Sequence, residues 1–74
     1  MEMAERHVRE GAERIARQRA LIDRLAERGL PIYDAVVMLQ AFEAAQREHI
    51  AHLQLLRNSA RGRLLRSKGW TPFP

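Results

Sequence analysis

The residues with the widest chemical range in this 74-residue chain are its three histidines, His7, His49 and His52. An imidazole can ligate a metal, act as a general base or shuttle a proton. His49 and His52, three positions apart, would share one face of a helix. A zinc or di-metal centre also needs helical ligand spacings such as HExxH or a duplicated ExxH, together with carboxylates that orient the ligands. Neither spacing occurs, and Glu48 and His49 are adjacent, which turns them to different faces of a helix. Nucleophilic catalysis is no better supplied: there is no cysteine, and Ser59 and Ser67 fall in a C-terminal segment that the fold expected below holds away from the histidines. Gly11, Gly29, Gly62 and Gly69 stand singly, with no strand before them to make a phosphate-cradling loop. The chain therefore reads as a non-enzyme with no catalytic, cofactor-binding or metal-ligating residue. Its histidines are expected at the seam or rim of packed helices.

Anion binding is the second chemistry on offer. The net charge of +4 is unevenly placed: residues 1–56 carry eight Arg against nine Asp or Glu, whereas residues 57–74 carry Arg57, Arg61, Arg63, Arg66 and Lys68 and no acid. Those five are the candidate anion or nucleic-acid contacts. Phosphate tracking by such a segment would weaken steeply with salt. Sequence-specific reading through a helix-turn-helix needs shorter helices and a third to brace them.

The elements that must position these groups follow from periodicity. From about residue 2 to residue 28 the chain is rich in Ala, Glu, Arg, Leu and Gln, and acids precede bases by four at Glu2–Arg6, Glu5–Arg9, Glu10–Arg14 and Glu13–Arg17, marking a solvated helix face. Opposite it runs a heptad stripe of Met1, Val8, Ile15 and Ile22 with Ala4, Gly11, Gln18 and Leu25. Gly29 is placed to end the helix in a left-handed cap, and Pro31 starts the next segment. A second stripe of Ile32, Leu39, Gln46 and Leu53 with Ala35, Phe42, His49 and Leu56 predicts a helix over about 32–57.

A turn over 29–31 forces the two helices antiparallel. Centring the hinge between Leu30 and Pro31 sets Leu25 near Val36, Ile22 near Leu39 and Val8 near Leu53, so that large residues meet large ones. Gln18 and Gln46 then fall near mid-hairpin as a register-fixing amide pair. Residues 58–74, where periodicity fades and Gly, Ser and Pro appear, are expected to form a basic arm, irregular or briefly helical, ending in Trp70 and Phe73.

The fold class is thus all-α, an antiparallel two-helix hairpin over 1–57. Leu21, Val37, Met38, Ile50 and Leu55 lie off the narrow seam and widen the apolar face beyond what one partner helix covers. A chain this short has little else to bury and no disulfide to staple it. The expectation is a homodimer of hairpins forming a coiled-coil-like four-helix bundle, packed through Val8, Ile15, Leu21, Ile22, Leu25, Val36, Leu39, Phe42, Ile50, Leu53 and Leu56. Ala41, Ala44, Ala45 and Ala51 would let helices approach closely. With no apolar run long enough to span a bilayer and acid among the first residues, a soluble, cytoplasmic protein is expected, with no membrane partner.

The run His7-Val8-Arg9-Glu10-Gly11, followed by Ile15-Ala16-Arg17-Gln18, Leu21-Ile22 and Gly29, resembles a set of small uncharacterised alphaproteobacterial proteins. In them an HVxEG stretch precedes an IxRQ helix, a Gly-led turn and a second helix with residues like Met38-Leu39 and Phe42. The resemblance covers roughly residues 6–56 and implies the hairpin; no activity or site residue comes with it. Pro31-Ile32-Tyr33 departs from the Asp and Thr cap of those proteins. The functional expectation is a small scaffold or protein-interaction module, with a nucleic-acid-associated accessory protein acting through the basic arm as the alternative.

Overall fold

The computed structural model describes the backbone of residues 2–67 and the side chains of residues 2–62. Met1, Lys68, Trp70 and Phe73 lie outside that range, so the expectations placed on them are not taken further. Two helices make up the described chain: α1 over Glu2–Glu27 and α2 over Tyr33–Ser67, packed side by side.

The connection is built as glycine and proline dictate. Gly29 has φ of 68°, the left-handed conformation that a Cβ disfavours. Its N–H donates to Ala26 O at 3.0 Å, and Leu30 N–H donates to Leu25 O at 2.9 Å. Those two bonds define a Schellman cap and satisfy carbonyls that the helix end would otherwise leave open. Downstream, Val36 N–H donates to Ile32 O at 2.9 Å, which makes Ile32 the N-cap and puts Pro31 just outside the helix. Asp34 sits in the first turn, where its charge opposes the positive end of the helix dipole.

The heptad reading of the seam holds, and its occupants are unusual. The buried residues of α1 are Ala4, Gly11 and Gln18, one per heptad, and those of α2 are Gln46 and Leu53 at the same interval. No side chain among the described residues is fully buried. Val8, Ile15, Leu21, Ile22, Leu25, Val36, Leu39, Phe42 and Leu56 are half-buried, and Ile50 is exposed.

Two details of the expected register are corrected. Gly11 stands against Gln46, His7 against His49 and Arg14 against Phe42, about one helical turn away from the alignment that set Val8 near Leu53. On the observed register Ala4 is level with Leu53 and Gly11 with Gln46, so small residues of α1 face long ones of α2 at these two levels, and Gln18 is level with Leu39. The cause is Gly11: with no side chain of its own, it opens the space into which Gln46 is laid. The second correction follows from the first. Gln18 and Gln46 are about 10 Å apart along the axis on this register and form no amide pair.

α2 also runs past the expected end near residue 57 to Ser67. α1 begins at Glu2, so the last turns of α2 extend beyond the end of their partner helix. Arg57, Arg61, Arg63 and Arg66 lie on helical backbone. Among the described residues no helix is long and apolar enough to cross a membrane.

Candidate functional site

The most elaborated part of the molecule is the polar centre of the hairpin. Gln46 enters the seam from α2 and donates from Nε2 to the carbonyl of Val8 at 2.7 Å. Gln18 enters from α1 and donates from Nε2 to the carbonyl of Ala35 at 2.8 Å. Each amide thus ties its own helix to the backbone of the other. A carbonyl oxygen has two lone pairs, so Val8 and Ala35 can accept these bonds while keeping their helical ones. The two bonds run in opposite directions across the seam and together hold the helices against sliding.

The histidines belong to this arrangement in part. Gln46 Oε1 lies 3.5 Å from His49 Nδ1, a long contact that suits an imidazole protonated on Nδ1. The His49 ring faces that of His7 across the seam, with centroids 5.6 Å apart and planes tilted by 38°. His52, one turn further on, is exposed and does not join them. Among the described residues no group of three or more His, Cys, Asp or Glu is placed to hold a metal ion. The chemistry available to His7, His49 and Gln46 is mutual hydrogen bonding and ring packing.

Charge borders the seam. Arg14 lies over the Phe42 ring at 5.6 Å from guanidinium carbon to centroid, covering part of an aromatic that the hairpin leaves half-exposed. Arg19 pairs with Glu43 at 3.3 Å and Arg57 with Glu5 at 3.8 Å. Both pairs are solvated and contribute at most about 1 kcal/mol each. Arg57, one of the candidate anion contacts, is engaged across the hairpin in this way, and Arg61 is exposed.

Part of the remaining surface is apolar. Val37, Met38, Ile50 and Leu55 are 45%, 52%, 40% and 63% exposed. Sequence reasoning placed all four off the seam because their positions break the heptad pattern. It missed the backbone bonds of Gln18 and Gln46, for which the one available signal was Gly11 in a seam position. No family model, no curated protein and no solved structure matches this chain. The functional reading rests on geometry alone.

Proposed function

We propose that the chain is a self-associating helical module, a small non-enzymatic scaffold or protein-interaction unit that works by burying the apolar surface a single hairpin leaves open. Its form would be a homodimer of hairpins arranged as a four-helix bundle. One observation carries this reading: among the described residues the buried apolar side chains are Ala4 and Leu53, while every larger aliphatic or aromatic group other than Leu53 is half-buried or exposed. Two antiparallel helices cannot enclose their own bulky residues when the seam between them is filled by Ala, Gly and Gln. A rod of two helices exposes more of its surface than a compact monomer of the same mass.

Sedimentation equilibrium over a concentration series tests the proposal. A species of twice the chain mass at micromolar concentration is expected, and a folded monomer throughout would overturn it.

A second reading is favoured by the length of α2. Its extension past α1 gathers Arg57, Arg61, Arg63 and Arg66 at one end of the rod, a local excess of positive charge suited to phosphate backbones. Gel-shift titrations of the full chain and a version ending at Arg57, over a salt series, separate the two readings. Nucleic-acid binding requires retardation by the full chain at low salt that fades with salt and is lost on truncation; absence of any shift removes this reading.

A further inference from the structure

The two helices differ on the sides turned away from their shared seam. The back of α1 carries Glu2, Arg6, Arg9, Glu13, Ala16, Ala20, Arg24 and Glu27, charged at all but two positions as a solvated helix is. The back of α2 carries Val37, Ala41, Ala44, Glu48, Ala51 and Leu55, spaced alternately four and three apart and all exposed. This is a second heptad stripe, diametrically opposite the first, with large residues at its ends and small ones between. A helix that is apolar on two opposite sides belongs in the middle of an assembly. α1 covers one side; among the described residues nothing covers the other.

Resting on the reading of the chain as self-associating, we infer that the dimer is made by this rear stripe of α2 packing antiparallel against the same stripe of a second copy, which sets the four helices in a row, α1–α2–α2–α1, in place of a closed bundle. The stripe is self-complementary about its midpoint near Gln46. A two-fold axis there sets Val37 of one copy opposite Leu55 of the other, Ala41 opposite Ala51 and Ala44 opposite Glu48. Each end then closes with a pair of branched side chains, and the alanines let the helices approach closely in between. Glu48, the one ionisable member, faces the short Ala44 of the other copy beside the two-fold axis.

Charge selects both the occupant and its direction. Along α2 the acids Asp34, Glu43 and Glu48 all precede residue 49, with Arg47 among them, and the other four bases, Arg57, Arg61, Arg63 and Arg66, follow it. Parallel copies would bring the two basic ends together. Antiparallel copies lay the basic end of each beside the less basic first half of the other's α2, which holds Asp34, Glu43 and Glu48 against Arg47. The last turns of α2, which among the described residues extend beyond α1, then run alongside the other copy's turn. On this register Asp34 of one copy comes level with residue 58 of the other, beside Arg57.

Because the stripe is exposed in the single hairpin, Ala44→Arg leaves the α1–α2 seam untouched and should retain the helical circular-dichroism signal. It is expected to weaken association in sedimentation equilibrium at least tenfold, while Met38→Lys, on a different side of α2, leaves it near that of the parent. A parent chain that stays monomeric overturns self-association and this inference together. A parent that associates, with Ala44→Arg unaffected and Met38→Lys broken, leaves self-association standing and overturns the rear-face interface. Direction is read by disulfide trapping, to which the absence of native cysteine lends itself. Ala41→Cys and Ala51→Cys chains, one of them tagged, are mixed and oxidised mildly. Antiparallel packing yields the mixed disulfide, since like positions stand about 15 Å apart, beyond bridging reach. Predominant like-with-like disulfides would overturn the antiparallel arrangement.

Discussion

Gly11 and Gln46 are one structural feature written at two places in the chain. A Cβ on Gly11 would overlap Gln46 Oε1 and stand 2.8 Å from its Cδ, so the buried amide occupies the room that glycine leaves. Alanine at position 11 would gain about 1 kcal/mol of helix propensity. It would also displace Gln46 from the Val8 carbonyl, losing a hydrogen bond of about 0.5–1.5 kcal/mol and forcing an overpacked seam at about 1–3 kcal/mol. The losses win: Gly11→Ala is expected to destabilise the protein by about 1 kcal/mol. In a Gln46→Ala background the same change meets no amide and should stabilise by about 1 kcal/mol. Urea unfolding of the four proteins at one fixed concentration measures the coupling, and a Gly11→Ala effect that is the same in both backgrounds would show that the two residues act independently. The spacing of apolar residues put both positions on the seam. It could not show that the amides reach backbone carbonyls, because that depends on a register set by the missing side chain and not by the large ones.

At the scale of elements, the three described glycines sit in helices or caps that ask different things of them. Gly29 holds a positive φ with nothing within 4 Å of a would-be Cβ, so the cost of Gly29→Ala is conformational, about 1–2 kcal/mol, and Gly29→Asn should recover part of it. Gly62 lies inside α2 with equally open surroundings and needs no special conformation; Gly62→Ala is expected to stabilise the protein by up to about 1 kcal/mol. Thermal melts of both variants check the opposite signs, and a loss on Gly62→Ala would mean that α2 does not continue through this position. The end of α1 was legible because a Gly in the capping position with a Pro two residues on is a strong local signal. The end of α2 was not: the apolar periodicity stops near Leu56 and Asn58, Ser59 and Gly62 look like breakers. Yet Ala60, Arg61, Arg63 and Arg66 favour helix, and bases suit the negative end of its dipole. Tertiary pattern and local propensity part company over 58–67, and propensity prevails where there is no partner helix to impose a pattern.

For the whole molecule, the decisive quantity is how much of its stability each hairpin owns. A seam of Ala, Gly, Gln and one Leu gives few of the large burials that hold small domains together, at about 1.5–3 kcal/mol for each fully buried aliphatic side chain. If the exposed and half-exposed residues are buried only between copies, folding and association are one equilibrium, and stability must depend on protein concentration. A tenfold rise in concentration then adds about 1.4 kcal/mol per dimer. With an unfolding entropy of about 2.1 cal/mol/K per residue in each of the two chains, the melting temperature should climb by about 4 °C per decade of concentration. The Ala44→Arg variant should lose that slope and melt at a lower, concentration-independent temperature, because it keeps the seam and lacks the second surface. A flat melting temperature for the parent chain across two decades would place all of the stability inside one hairpin. The glutamine bonds to Val8 and Ala35 would then have to carry what the apolar surface does not.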